Sequence, residues 1–225
     1  MRYGLLNDAR KLNAQKLPLM VDRFAQLAEA PGDAIQRPVP QPVLRVSEEQ
    51  RRHLLDKLGL TTTRPVAVLC PGAEYGPAKR WPVPYFAELA QHLRKQGYAV
   101  WLVGSSKDKE IGEKITALGN EACRNLCGAT DLADAVTLLS CADLVVSNDS
   151  GLMHLAAALG RPMLALYGSS SPQFTPPLSD QALVIKLDLP CSPCFKRVCP
   201  LGHFNCMLQL TPGQVIQHIP IKSSE

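Results

Sequence analysis

Short apolar runs alternate with segments of helical periodicity between residues 65 and 187. The apolar runs predict strands at residues 66–70, 98–103, 144–146, 163–166 and 183–187, and the alternation adds a short strand at residues 124–126. The periodic segments predict helices at residues 85–96, 107–118, 132–140 and 151–159. Because the strands are apolar almost throughout, we expect an α/β fold with a parallel sheet covered by helices on both faces.

The first 45 residues show a different pattern. Apolar residues at helical spacing predict one amphipathic helix over residues 18–30, and alternating prolines in residues 36–44 predict a stiff, extended linker. Because a single helix cannot form a core, we interpret residues 1–45 as the remnant of a separate domain with its linker. Residues 46–225 then form the α/β domain, whose first helix begins at the capping residue Ser47.

Composition and charge narrow the range of functions. The 225 residues are 46% hydrophobic and 20% charged, as is typical of a globular protein. The net charge of +4 comes without blocks of Lys and Arg, so the sequence does not predict a nucleic-acid partner. No run of eighteen apolar residues and no signal-peptide pattern occur, and we therefore expect a cytoplasmic protein with reduced cysteines.

The loop after the first predicted strand has features of a phosphate site. Ligands of parallel α/β sheets bind at the carboxyl ends of the strands. In residues 71–82, Gly72 allows close backbone approach, and Lys79 and Arg80 place positive charge beside the next helix. Exposed N–H groups, a helix N-terminus and a lysine suit a phosphate. The alternative is a solvated basic loop.

The loop after residue 146 runs through several N-cap residues into a helix. Its N-terminus can hold an anion, and Gly151 leaves room for a pyrophosphate. His154, about one turn further on, is either a phosphate donor or a packed core histidine. Asp149 repels phosphate, so it either caps the helix, accepts from a sugar hydroxyl or orients Lys79.

A third loop, residues 104–110, contains the acidic residues Asp108 and Glu110. A carboxylate at this position can accept hydrogen bonds from a ribose diol, as acidic residues do in dinucleotide-binding folds. The alternative is that both are acidic residues that favour the first turn of a helix. The pattern alone favours this second interpretation for each residue taken singly.

Four cysteines cluster near the end of the chain, at Cys191, Cys194, Cys199 and Cys206. Four reduced thiolates suit zinc, although the spacing differs from that of paired zinc knuckles. Free thiols in a loop near the cleft are the simpler interpretation. The other four cysteines lie in or beside predicted core elements and are expected to be packing residues.

Several of these segments resemble the type II lipopolysaccharide heptosyltransferases of glycosyltransferase family 9. The resemblance covers the donor-site loop PGAEYGPAKRWP (residues 71–82), the second donor motif NDSGLMH (148–154) and the segment MRYGLLNDAR (1–10). It implies the GT-B architecture, in which two Rossmann-like domains face a cleft. The chain would supply one complete nucleotide-sugar domain and the tail of a missing N-terminal, acceptor-binding domain.

The resemblance also implies an activity. The family transfers L-glycero-D-manno-heptose from ADP-heptose to the inner core of lipopolysaccharide, here heptosyl-Kdo2-lipid A, with inversion. The implied partners are ADP-heptose and this acceptor, with peripheral contact at the inner face of the cytoplasmic membrane. No metal or cofactor is implied, because a lysine and a helix dipole can neutralise the leaving diphosphate.

The family's functional residues carry over to matching positions. Lys79 resembles the lysine that stabilises the leaving group. The predicted substrate-binding residues are Gly72, Lys79, Asp108, Glu110, Asp149, Ser150, Gly151 and His154.

The resemblance leaves the general base unassigned. In the family it is an aspartate near the start of the N-terminal domain, and Asp8 does not match it. We therefore expect poor or no transfer by this chain alone. Two alternatives remain open: a GT-B enzyme that uses UDP-sugars, and a non-catalytic nucleotide-binding module.

Overall fold

The computed structural model describes residues 4–5 and 7–219. In these residues six strands form one sheet: β1 (Val66–Cys70), β2 (Ala99–Leu102), β3 (Arg124–Asn125), β4 (Leu144–Asn148), β5 (Met163–Tyr167) and β6 (Ala182–Lys186). The helices are α1 (Met20–Ala28), α2 (Glu48–Leu58), α3 (Val83–Lys95), α4 (Lys109–Leu118), α5 (Leu132–Ser140), α6 (Gly151–Ala158), α7 (Asn205–Leu208) and α8 (Pro212–Ile216). The predicted α/β fold is confirmed.

The strands run parallel in the order β3-β2-β1-β4-β5-β6. β2 and β3 are added in turn on one side of β1. The chain then crosses over, and β4 pairs with the other side of β1. Such a reversal is a topological switch point, and a crevice opens there between the loops that follow the two central strands. The loops after β1 and β4 are the two that the sequence marks for anion binding.

The sheet separates two apolar layers. Alternate residues of β1 point to opposite faces, so Ala67 and Leu69 belong to one layer while Val68 and Cys70 belong to the other. The first layer also contains Trp81, whose side chain is almost fully buried. Burial of both faces explains why β1 and β5 are apolar at every position, without the alternation of a half-exposed sheet.

Local signals explain the element boundaries. Ser47 caps the start of α2 as predicted, in a capping box with Gln50, and Gly59 ends that helix in the left-handed conformation. The helix predicted from residue 107 begins instead with a 3-10 turn, Ser106–Asp108, and α4 follows it. The sequence pattern predicts no elements in the region of α7 and α8.

The N-terminal segment lies against the α/β domain. The Met20 N–H donates to the Phe174 carbonyl at 2.9 Å, and the Leu44 N–H donates to the Ala158 carbonyl at 2.8 Å. On α1, Phe24 and Leu27 remain exposed, so part of its apolar stripe is uncovered. The division of the chain at residue 45 stays a prediction. Among the described residues, no helix has the length and apolar character needed to cross a bilayer.

Candidate functional site

A cavity of about 670 Å³ opens at the carboxyl ends of β1, β2 and β4. We call it the nucleotide cavity. One side is apolar, formed by Leu132 and Ala135 from α5 and by Leu152 and Leu155 from α6. The other side is built from loop backbone and small polar residues. Four predicted site residues line this cavity: Gly72, Asp108, Ser150 and Gly151.

Asp108 is fixed on the polar side of the nucleotide cavity. Its Oδ2 accepts from the Ser105 N–H at 2.9 Å and from the Ser105 hydroxyl at 2.7 Å. The carboxylate also packs directly on Gly72, where an added Cβ would lie 2.5 Å from Oδ2. Because Gly72 has no side chain, the loop after β1 can approach this carboxylate. Asp108 therefore caps the start of the helical turn and also lines the cavity.

Glu110, the other predicted ribose contact, lies elsewhere. Its side chain is exposed on α4 and forms an ion pair with Lys114 at 2.6 Å. The hydrogen bond from Lys114 is the main reason that the pKa of Glu110 is lowered. Because Glu110 is not among the cavity-lining residues, the geometry favours Asp108 over Glu110 as the acidic group that faces a ligand.

Lys79 and Asp149 form a largely buried ion pair beside the nucleotide cavity. The distance from Lys79 Nζ to Asp149 Oδ2 is 2.5 Å, and the exposed fractions of the side chains are 18% and 4%. Lys79 comes from a 3-10 turn after β1, and Asp149 directly follows β4. The pair therefore joins the two loops of the switch point and leaves one ammonium group within reach of a ligand.

The N-terminus of α6 faces the same region. Its N-cap residue is Ser150, and no side-chain cap bonds to the first turn, so Asp149 does not cap this helix. An added Cβ at Gly151 would have no heavy atom within 4 Å beyond its chain neighbours and its own helix. Free N–H groups at an open helix N-terminus are suited to an anion.

His154 lies on the exposed surface of α6. Its pKa is lowered, mainly by partial desolvation, while the negative charge of Asp149 opposes that shift and the positive charge of Lys79 adds to it. The imidazole is therefore mostly neutral at pH 7 and can donate one hydrogen bond from its protonated nitrogen. Its predicted role as a phosphate contact stays a prediction.

Asn148 is a site residue that the sequence analysis missed. Its buried side chain accepts from the Trp81 N–H at 3.0 Å and donates to the Pro71 carbonyl at 2.7 Å. These two bonds connect both ends of the loop after β1, residues 71–82, to the end of β4. A single asparagine after a strand gives no sign of partners more than sixty residues away, so only the fold reveals this connection.

A second cavity, of about 600 Å³, has Lys79 in its wall. We call it the aromatic cavity. Its walls contain Tyr75, Phe174 and Phe195, together with Arg23 from α1 and Lys79 itself. The Lys79 ammonium lies 5.1 Å from the centre of the Tyr75 ring. Lys79 therefore faces the aromatic cavity while it pairs with Asp149.

The cysteine-rich loop, residues 191–206, packs beneath this region. Its four cysteines line one small cavity of about 20 Å³. The Cys199 thiol accepts from the Phe204 N–H at 3.4 Å, and backbone donors of this kind lower the pKa of Cys199. Burial is the main reason that the pKa of Cys206 is raised, and the neighbouring thiols add to the effect.

The geometry gives no support to the zinc hypothesis. Within residues 4–5 and 7–219, no group of three or more His, Cys, Asp and Glu side chains is arranged to hold a metal ion. None of the four cysteines is in a disulfide bond. Of the other cysteines, Cys70, Cys123 and Cys127 are buried and Cys141 is half-buried.

The strand order and the crevice at its switch point define a Rossmann-like α/β domain. The family model described as glycosyltransferase family 9 (heptosyltransferase) matches residues 1–205. The chain belongs to this family.

The relatives agree with this assignment. Lipopolysaccharide heptosyltransferase 2 of Salmonella typhimurium is 45% identical over 234 residues, which cover 100% of this chain and 67% of the relative. The corresponding Escherichia coli protein is 45% identical, with coverages of 97% and 66%. The chain thus spans about two thirds of the length of these relatives.

Solved structures show the same similarity. The structure of E. coli ADP-heptose lipopolysaccharide heptosyltransferase II superposes with a TM-score of 0.85 at 44% identity, covering 96% of this chain and 65% of that one. An E. coli heptosyltransferase in complex with ADP gives a TM-score of 0.61 at 25% identity, covering 93% of this chain and 56% of that one. The predicted GT-B class is confirmed.

Proposed function

We propose that this chain binds ADP-heptose and contributes the donor half of a heptosyltransferase. The reaction is the inverting transfer of L-glycero-D-manno-heptose to the heptosyl-Kdo2-lipid A inner core of lipopolysaccharide. The observation that carries the proposal is the Lys79–Asp149 pair, held at 2.5 Å between the loops of β1 and β4 at the switch point. Such a lipid-linked acceptor would bring the chain to the inner face of the cytoplasmic membrane.

The nucleotide cavity matches the parts of an ADP group. Its apolar side, with Leu132 and Leu155, suits a flat base, and Asp108 can accept from a ribose diol. Ser150, Gly151 and the N-terminus of α6 then face the diphosphate. In this arrangement the distal phosphate would lie next to Lys79, whose partner Asp149 precedes Ser150.

Lys79 has the position needed to stabilise the leaving group. Negative charge accumulates on the diphosphate as the glycosidic bond breaks, and a fixed ammonium in a partly buried site stabilises that charge. Asp149 holds the ammonium in place and can also accept a hydrogen bond from a sugar hydroxyl. The acceptor hydroxyl needs a general base, and no residue of this chain is assigned that role.

Two alternative functions differ in nucleotide preference. A UDP-sugar enzyme would prefer uridine nucleotides, and a non-catalytic module would show no preference for a sugar-linked nucleotide. The comparisons favour neither alternative, because the relatives and the most similar structures carry heptosyltransferase names. Nucleotide selectivity therefore separates the three.

The test is a calorimetric titration of the purified chain with ADP and with UDP. Lys79→Ala should weaken ADP binding by about tenfold to a hundredfold, the effect of losing a charge-assisted contact. Asp149→Asn should leave ADP affinity equal or higher, because it removes a carboxylate that repels the phosphates. Lys95→Ala, at an exposed lysine of α3 away from the site, is the matched control.

Each outcome is informative. Preference for ADP that depends on Lys79 supports the proposal. Preference for UDP would favour the second enzyme class. A folded chain that binds neither nucleotide would contradict donor binding by this chain.

A further inference from the structure

Four thiols and one hydroxyl line the same small cavity, of about 20 Å³. We call it the thiol cavity. The thiols are those of the cysteine-rich loop, Cys191, Cys194, Cys199 and Cys206, and the hydroxyl is that of Ser169, in the loop after β5. A space of this volume holds about one water molecule, so the groups around it are close neighbours. The proposed function does not use this cluster.

The Ser169 hydroxyl indicates that a small polar molecule enters the thiol cavity. The residue is 1% exposed, and its Oγ has no hydrogen-bond partner among the residues that the structure describes. Buried hydroxyls are nearly always paired with protein or with water, because an unpaired one loses its hydration without compensation. The thiol cavity therefore suits a hydrogen-bonding molecule close to water in size, such as hydrogen peroxide.

Two thiols of the cluster differ in reactivity. The Phe204 N–H donates to the Cys199 sulfur at 3.4 Å, and this bond is the main reason that the pKa of Cys199 is lowered. Burial raises the pKa of Cys206, and the thiols of Cys194 and Cys191 raise it further. Because the thiolate is the form that attacks an oxidant, Cys199 should react first and a protonated neighbour second.

The cysteine-rich loop also supports the loop after β1, which carries Lys79. The Ala78 N–H, next to Lys79, donates to the Arg197 carbonyl at 3.0 Å. The Tyr75 hydroxyl donates to the Phe195 carbonyl at 2.8 Å. Both carbonyls lie between the second and third cysteines of the cluster. A new covalent bond at the third cysteine would therefore displace the segment that holds the lysine loop.

We propose that the cysteine-rich loop is a redox-sensitive support of the nucleotide site: peroxide joins Cys199 to Cys206 in a disulfide, and this weakens ADP binding through the Arg197 carbonyl. The effect on ADP rests on the proposed function. Formation of the disulfide does not, since it follows from the thiol cluster alone.

The chemistry takes two steps. The Cys199 thiolate attacks one oxygen of hydrogen peroxide, an S–O bond forms as the O–O bond breaks, and the departing hydroxide takes a proton from solvent. The Cys206 thiol then attacks the sulfur of the sulfenic acid, so an S–S bond forms, the S–O bond breaks and water leaves with the thiol proton. The two thiols lose two electrons, and the peroxide gains them.

The first test treats the full chain with hydrogen peroxide, with and without a metal chelator, and maps disulfides by mass spectrometry after alkylation of free thiols. We expect a Cys199–Cys206 link that a dithiol reductant reverses. Cys199→Ser should abolish the link, and Cys206→Ser should leave a sulfenic acid at Cys199 that dimedone labels. Cys141→Ser, at the end of α5 outside the cluster, is the matched control and should form the link as the wild type does.

The second test measures ADP affinity by calorimetry before and after peroxide. Oxidation should weaken ADP binding by about three- to tenfold, as expected for one lost supporting hydrogen bond, and reduction should restore it. Cys199→Ser should bind ADP equally well before and after peroxide. Thermal melting of each variant shows whether it is folded, and Cys206→Ser provides a second variant that cannot form the link.

Four results are decisive. Oxidation of the cluster no faster than that of Cys141 would overturn the inference. Thiols that resist peroxide until the chelator is added would make the cluster a metal site instead. A disulfide that leaves ADP affinity unchanged would overturn the coupling to the nucleotide site. If the reduced chain does not bind ADP, the proposed function fails, whereas the disulfide map still decides whether the redox step occurs.

Discussion

At the scale of single residues, Gly72 and Gly151 of the nucleotide cavity have different surroundings. An added Cβ at Gly72 would lie 2.5 Å from Asp108 Oδ2, whereas the same position at Gly151 is open. Neither glycine has a positive φ, so the backbone of each accepts alanine. The first glycine thus serves packing inside the protein, and the second leaves space for a ligand.

Gly72→Ala should therefore lower the stability of the fold. The methyl group displaces Asp108 and breaks its bonds to Ser105, and losing such a cap costs about 1 kcal/mol of unfolding free energy. Chemical denaturation measures this loss. An unchanged unfolding free energy would mean that Asp108 can move without cost.

Gly151→Ala is the matched variant, and we expect the opposite result for stability. Alanine at the start of α6 should raise the unfolding free energy by up to about 1 kcal/mol, because glycine loses more backbone entropy on folding. ADP affinity should nevertheless fall, since the methyl group occupies the space assigned to the diphosphate. Unimpaired ADP binding would move the diphosphate away from this helix.

At the scale of elements, the loop after β1 depends on a side chain from β4. Asn148→Ala would leave the Trp81 N–H and the Pro71 carbonyl buried without this partner. Each unsatisfied group costs about 1–3 kcal/mol, so denaturation should show one of the largest losses for any polar residue of the chain. Asn7→Ala, at an exposed position, should change stability by less than about 0.5 kcal/mol.

Asn148 also shows which features of the fold and site could not be predicted from the sequence. Strands such as β1 and β5 could be predicted because fully buried runs are apolar throughout, and the start of α2 because Ser47 and Gln50 form a local motif. The bonds of Asn148, and of Tyr75 with Phe195, join positions that are distant in sequence and leave no periodic signal. Local sequence patterns therefore predicted the main loops of the site, but they did not predict these long-range hydrogen bonds that support the loops.

At the scale of the whole molecule, strand order decides which loops meet. Apolar runs predict a parallel sheet, but they do not specify that β4 lies beside β1, which brings Lys79 to Asp149. The expected position of ligands at the carboxyl edge follows from the general rule for such sheets. The nucleotide cavity lies at that edge, between loops that are as many as 80 residues apart in sequence.

Because one ligand would contact all of these loops, ADP should protect them together in hydrogen exchange. A ligand at a hundred times its dissociation constant stabilises the bound state by about 2.7 kcal/mol, so exchange through openings that disrupt the site slows by up to about a hundredfold. We expect protection in residues 71–82, 104–110, 128–132 and 147–152. The loop before β1, residues 59–65, lies at the opposite edge and should exchange unchanged. Protection confined to one loop would contradict a shared site, and protection at residues 59–65 would place the nucleotide at the wrong edge of the sheet for this fold.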